Sequence, residues 1–200
     1  MIDRNGLYPA AIDDPPTYPP SSTLARPTER VTLAPPYVSG QQLEEMGFIN
    51  VTKESVYELN WALYNNGITS KNEIAHFLAQ CAYESNWGLW LTELGNDEYF
   101  AANGYGTKYR GAGYIHLTWD YAYYNFSIVM GDPEIYVQGA DYVAAHYAWT
   151  AAGWFWTNKG LNATIAAGAT VRDVTRIVLG SYNTWEKRQA NYDKIFMVLQ

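Results

Sequence analysis

One stretch, residues 74–95, constrains this chain more than any other. Ser70 with Glu73 three residues later forms the pattern of a capping box, so a helix is predicted to start there. Ile74, Phe77, Leu78 and Cys81 follow at helical spacing. The next position on that apolar stripe is Glu84. A carboxyl group on such a stripe is either paired or holds its proton more tightly through desolvation, and the second property suits a general acid. A second carboxylate, Glu93, lies nine residues on. In one unbroken helix it would stand about 13 Å along the axis and about 180° round from Glu84, so the pair can face one cleft only if the helix ends between them. Asn86 and Gly88 are residues that can end it. The pattern thus reads as a helix-borne acid and a loop-borne base across a groove. It reads equally as a helix-end charge and an unrelated surface charge.

The rest of the chain sets the frame for that pair. Residues 1–38 hold Pro9, Pro15, Pro16, Pro19, Pro20, Pro27, Pro35 and Pro36, which predicts an extended arm and no second domain. Residues 39–200, nearly half hydrophobic at 48% over the whole chain, suffice for one domain with a core. Leu43 and Met46 belong to a short helix that Gly47 ends, and Thr52 caps a second carrying Val56, Leu59 and Leu63, closed by Asn65, Asn66 and Gly67. Tyr114, His116 and Thr118 alternate with Ile115 and Leu117, which predicts a short extended piece. Residues 121–130 read as a helix stopped by Gly131 and Pro133, residues 143–156 as one long apolar helix, and Thr170 with Asp173 as another capping box. A last helix carries Trp185, Gln189, Tyr192, Ile195, Phe196 and Leu199. The expected fold class is mainly α with little strand.

Composition excludes several partners. A net charge of −7 argues against nucleic acid, and it gives no long-range attraction to an anionic cell wall. The single Cys81 allows no internal disulfide. His76, His116 and His146 are too scattered for a metal site, and no cofactor is implied. No apolar run is long enough for a membrane span. The start of the chain, Met1-Ile2-Asp3-Arg4-Asn5, lacks the basic and apolar regions of a signal peptide. A protein of this kind acting outside its cell is therefore expected to leave by lysis, on a particle, or as a piece of a longer chain. Eighteen Tyr and eight Trp supply aromatic faces, which stack on sugars as readily as they fill cores.

From about residue 41 to 199 the chain resembles the catalytic domain of glycoside hydrolase family 19, the chitinases and phage endolysins. The run Phe77-Leu78-Ala79-Gln80-Cys81-Ala82-Tyr83-Glu84-Ser85 is similar to the family's catalytic-acid helix, with Tyr83 in place of a usual His. Glu93 stands at the separation of the second Glu in shorter bacterial and phage members. The run Tyr109-Arg110-Gly111-Ala112-Gly113-Tyr114-Ile115-His116-Leu117-Thr118 resembles the signature Gly-Arg-Gly-x-x-Gln-Leu-Ser/Thr, and Trp154-Phe155-Trp156 with Lys159-Gly160-Leu161-Asn162 resembles the endolysin branch. Residues 175–192 resemble the closing Ile-Asn-Gly-Gly-x-Asn segment and its Arg helix. The chain departs from the pattern at Ala112 (Arg), His116 (Gln), Ala122 (Asn), Leu179 (Asn) and Ser181 (Gly). Those departures imply retained hydrolysis on an altered glycan.

The resemblance implies a lysozyme-like, bilobal helical domain and an inverting two-carboxylate mechanism. In it Glu84 is the acid, Glu93 the base, and Thr118 helps hold the attacking water. Arg188 matches the Arg that pairs with the acid, and Asn183 lines the cleft. His116 is a candidate to bind an N-acetyl or hydroxyl group, or is a structural His. Trp87 and Tyr121 are candidate stacking residues, with a place in the core as the equal alternative for Trp87. The expected activity is that of a peptidoglycan-cutting muramidase of phage type, with chitinase as the alternative and a non-catalytic glycan-binding or structural subunit as a third reading. The implied partners are a glycan polymer and, through the Pro-rich arm, a phage or tail assembly or a further domain. The expected place of action is the bacterial cell wall.

Overall fold

The computed structural model describes residues 37–199, so the predicted extended arm lies outside the described residues except for its end. That end belongs to the folded unit. Val38 is buried, its N–H donates to Asn60 Oδ1 at 3.0 Å, and its carbonyl accepts from Asn60 Nδ2 at 2.8 Å.

The described residues are almost entirely helical. Helix α1 spans Gly40–Met46 and α2 Lys53–Asn65; the predicted cap Thr52 starts α2, and Ser39 caps α1 in a capping box with Gln42. Helix α3 spans Lys71–Glu84. Its Ser70–Glu73 capping box forms as expected. Residues 74–82 of α3 are buried without interruption, including His76 and Gln80, so α3 is a central helix enclosed on every side. After it come α4 (Asp97–Asn103), a 3₁₀ turn (Thr107–Tyr109), α5 (Asp120–Met130), α6 (Glu134–Gln138), α7 (Ala140–His146), α8 (Ala148–Asn158), α9 (Leu161–Ala166), α10 (Val171–Leu179) and α11 (Trp185–Val198). One hydrophobic cluster gathers α1, α2, α3, α8 and α11 around Phe77, Trp149 and Trp156. A second gathers α5 to α8 around Tyr123, Phe126, Val143 and Trp154. Phe155 packs on both, joining the two lobes.

Two sequence expectations are corrected. The predicted long helix over residues 143–156 is two helices, broken at Tyr147 (φ −139°). Glu58 of α2 supplies the reason. Its Oε1 accepts from the backbone N–H groups of Trp149 and Thr150, both at 3.0 Å, and from the Thr150 hydroxyl at 2.9 Å. A carboxylate from another helix thus caps the start of α8. The predicted extended piece at residues 114–118 is a tight turn closed by paired hydrogen bonds between Ala112 and Leu117 (3.0 and 2.8 Å), with Gly113 and His116 at positive φ. Burial does not alternate there: Tyr114 is buried along with Ile115 and Leu117, as a loop allows and a strand with one wet face does not. The short helices α4, α6 and α9 were not expected from the sequence.

Candidate active site

Glu84 is the last residue of α3, and the chain leaves the helix at once. Asn86 (φ 48°), Trp87 (φ 61°) and Gly88 (φ 85°) take left-handed backbone, and the Ser85 hydroxyl accepts from Gly88 N–H at 2.9 Å. This is the break that the Glu84–Glu93 spacing requires.

Each carboxylate has its own donors. Glu84 Oε1 accepts from Arg188 Nη2 of α11 at 2.5 Å. The Arg188 side chain is 1% exposed and that of Glu84 18%, so the charge pair has a dry back and a wet front. Arg188 is fixed from every side. Nη1 donates to Gln80 Oε1 at 2.6 Å, Nε to the Thr184 hydroxyl at 3.3 Å, and the guanidinium lies 4.3 Å from the Tyr83 ring centroid. Gln80 in turn donates to the Thr175 hydroxyl of α10 at 3.2 Å. The carboxyl group that broke the apolar stripe is therefore paired, through an Arg anchored to α3 and α11.

Glu93, half-buried, accepts at Oε1 from the Tyr105 hydroxyl at 2.7 Å and the Tyr99 hydroxyl at 3.3 Å, and at Oε2 from Gly111 N–H at 3.0 Å. Burial first, and the Glu93 contact second, push the Tyr105 phenol well above its ordinary range, so it stays a donor. The backbone of Glu93 also donates to Gly111 carbonyl at 2.8 Å. Glycine at 111 is required by that approach: a Cβ there would meet His116 Cβ at 2.8 Å and Glu93 Cβ at 3.3 Å.

The turn of residues 111–118 therefore sits beside Glu93. Its His116 ring Nε2 lies 3.1 Å from the Trp90 carbonyl, and the Thr118 hydroxyl donates to the His116 carbonyl at 2.7 Å. Arg110 at the head of the signature pairs with Asp141 of α7 and bonds the Thr107 carbonyl at 2.8 Å, pinning the loop that brings Tyr105 in. Tyr105 meets Trp119 edge-on at 5.2 Å between centroids, and Trp119 stacks with the exposed Tyr121 at 6.5 Å, which extends an aromatic shelf from Glu93. Trp87 turns the other way, against Phe48 (5.2 Å) with Lys194 Nζ over its ring, and joins the first core cluster. Asn183 is exposed in the turn before α11, and its carbonyl accepts from Thr184. Tyr105, Tyr99 and Thr184 carry no site signal in the sequence, and Gln80 and Tyr83 lie in the acid helix without an expected role. The nearest to such a signal is the Gly-flanked loop at residues 104–106 around Tyr105. Among the described residues no three His, Cys, Asp or Glu side chains converge as for a metal ion, and no helix is long and apolar enough to cross a membrane.

No family model and no curated protein matches the chain. Solved structures do. Chitinase C from Streptomyces griseus HUT6037 aligns with a TM-score of 0.65 at 20% identity, covering 82% of this chain and 93% of that one. A bacterial family 19 chitinase aligns at 0.64 and 22% identity, covering 82% and 95%. A family 19, class IV chitinase from Zea mays aligns at 0.56 and 21% identity, covering 78% and 84%. The chain carries the mainly α, lysozyme-like fold of the family 19 chitinases.

Proposed function

We propose that the protein is a glycoside hydrolase that cuts β-1,4 bonds with inversion, using Glu84 as acid and Glu93 as base. One observation carries the reading. Two part-exposed carboxylates flank a helix end: Glu84 is held by Arg188 from 104 residues away, and Glu93 by Tyr99, Tyr105 and the Gly111 N–H. Glu84 protonates the glycosidic oxygen while Glu93 takes a proton from a water attacking the opposite face of the sugar, an arrangement that needs carboxyl groups roughly 6.5–9.5 Å apart. Thr118 donates its hydroxyl proton to the His116 carbonyl, which leaves its oxygen lone pairs to accept from that water. The shelf of Trp119 and Tyr121 offers stacking faces, and His116 a hydrogen bond, to the sugars beside the cut bond.

Peptidoglycan is the proposed substrate, cut in the manner of a muramidase so that N-acetylmuramic acid is left at the new reducing end. The endolysin-like segment and the altered signature positions Ala112, His116, Ala122 and Leu179 support it. The second reading is chitin, favoured by the chitinases among the similar structures. A non-catalytic glycan-binding subunit is the third. Action at a bacterial wall, delivered by lysis or on a phage particle with the Pro-rich arm of residues 1–38 as the attachment, goes with the first reading. Digestion of purified peptidoglycan beside chitin oligomers, read by mass spectrometry after reducing-end labelling, tests it. Products ending in N-acetylmuramic acid, absent with Glu84→Gln, are expected. Turnover of chitin alone selects the second reading, and binding without turnover the third.

A further inference from the structure

The corner between α10 and α11 holds a feature that the two-carboxylate chemistry does not use. Arg172 and Arg176 lie one turn apart on the exposed side of α10. Both guanidinium groups rest on Tyr182, at 4.4 and 5.6 Å from its ring centroid, and Arg172 also lies 6.0 Å from the Trp185 ring. Neither is in an ion pair among the described residues. The acids nearest in sequence are Asp173, whose carboxylate bonds Thr170 N–H (3.0 Å) and hydroxyl (2.6 Å), and Glu186 on α11. Two like charges are thus gathered on one aromatic ring in a chain of net charge −7. An arginine held on aromatic faces is pre-oriented and keeps N–H donors for a carboxylate.

The place matters as much as the charge. Trp185 begins α11 three residues before Arg188, a rise of about 4.5 Å. Thr184, the residue before Trp185, touches Arg188 Nε with its hydroxyl at 3.3 Å, and Arg188 holds Glu84. On the other side, Arg176 follows Thr175, which joins α10 to Gln80 and so to Arg188. The arginine pair and its Trp185 platform are therefore carried by the two helices, α10 and α11, that also hold Arg188 in place.

We propose that Arg172 and Arg176, on their platform of Tyr182 and Trp185, bind carboxylates carried by the glycan strand. This rests on the peptidoglycan reading above and deepens it. Muramyl residues bear lactyl-peptide carboxylates at every second sugar, whereas chitin bears none. Screening at about 0.1 M salt confines electrostatics to about 10 Å, so a local cationic patch governs contact with an anionic strand even where the whole chain is acidic.

Binding to polymers tests the proposal, in a Glu84→Gln background that slows hydrolysis. Co-sedimentation is measured with teichoic-acid-free sacculi, with the same sacculi after their carboxyl groups are converted to neutral amides, and with chitin. The double substitution Arg172→Gln, Arg176→Gln is expected to weaken sacculus binding about tenfold at low salt, with unchanged binding to chitin and a smaller difference at high salt. Amidation of the sacculi is expected to weaken binding of the protein with its arginines intact about tenfold, a result that does not depend on how the double variant folds. Equal losses on sacculi and chitin, or full binding to amidated sacculi, overturn it. Undiminished binding of the folded double variant to native sacculi overturns it while leaving the hydrolase reading standing. Failure of the parent to bind either polymer overturns the glycan reading and this proposal with it.

Discussion

At the scale of single residues, the account turns on how each carboxylate is held. Glu93 receives Tyr105, Tyr99 and a backbone N–H, so its two oxygens have fixed directions before any ligand arrives. Preorganised donors of this kind work without reorganisation during reaction. Removing the shorter of the two phenol contacts with Tyr105→Phe is expected to lower kcat about tenfold, one charge-assisted hydrogen bond, with KM and melting temperature nearly unchanged. Steady-state kinetics beside a thermal melt checks this, and an unchanged kcat would show that Tyr105 does not position the base. The same scale holds the strained backbone. Asn86, Trp87, His116, Trp119 and Thr184 all have positive φ, and all lie in segments that carry or flank Glu84, Glu93 and Arg188. Strain of this sort persists only where surrounding contacts over-determine it.

At the scale of elements, the seam between α3 and α11 and the docking of the 111–118 turn on α8 carry the site. Arg188→Ala would leave Gln80 and Glu84 facing an empty buried space, and is expected to cost about 3–5 kcal/mol in denaturant unfolding as well as activity. The seam also contains His76, buried against Tyr192 at 4.7 Å with Nδ1 lacking a partner among the described residues. Burial lowers its pKa from 6.5 to about 4. Between those values the unfolded chain binds a proton that the folded chain refuses, so stability rises with pH across this window and is flat in this respect below it. The loss on going from pH 7 to 4 is at most about 3 kcal/mol. His76→Leu is expected to flatten that part of the stability curve, and parallel curves for the two proteins would show that the folded state accepts the proton. In the 111–118 turn, Gly113 has φ +73° and a Cβ there would meet Ala148 carbonyl at 2.7 Å. Gly113→Ala is expected to lower the melting temperature and to cut activity by displacing Thr118 and His116, both measurable on one preparation. Elements with local causes were legible in sequence: the capping boxes at Ser70 and Thr170, and the stop after Glu84. The break at Tyr147 was not, because its cause, Glu58, lies 91 residues from Trp149.

At the scale of the whole molecule, the two lobes bring together residues that no local pattern connects. Glu84 and Arg188 are 104 positions apart, and Glu93 meets Gly111 across 18. The carboxylates and Arg188 were readable through ordered resemblance along the chain, since each sits inside a recognisable run. Tyr105 and Tyr99 were not, because a Tyr in a Gly-rich loop carries no sign of what it will face. For Trp87 the sequence leaves a stacking face and a core place equally open, and the left-handed turn decides for the core by swinging it onto Phe48 and Lys194. The central claim, that Glu84 and Glu93 act from opposite faces of one sugar with a water between them, is tested most directly by the anomer formed at the cut bond. Proton NMR of soluble glycan strands during the first minutes of digestion, before mutarotation, should show the α-anomer at the new reducing end. A β-anomer, or no cleavage by the folded protein, would contradict the account.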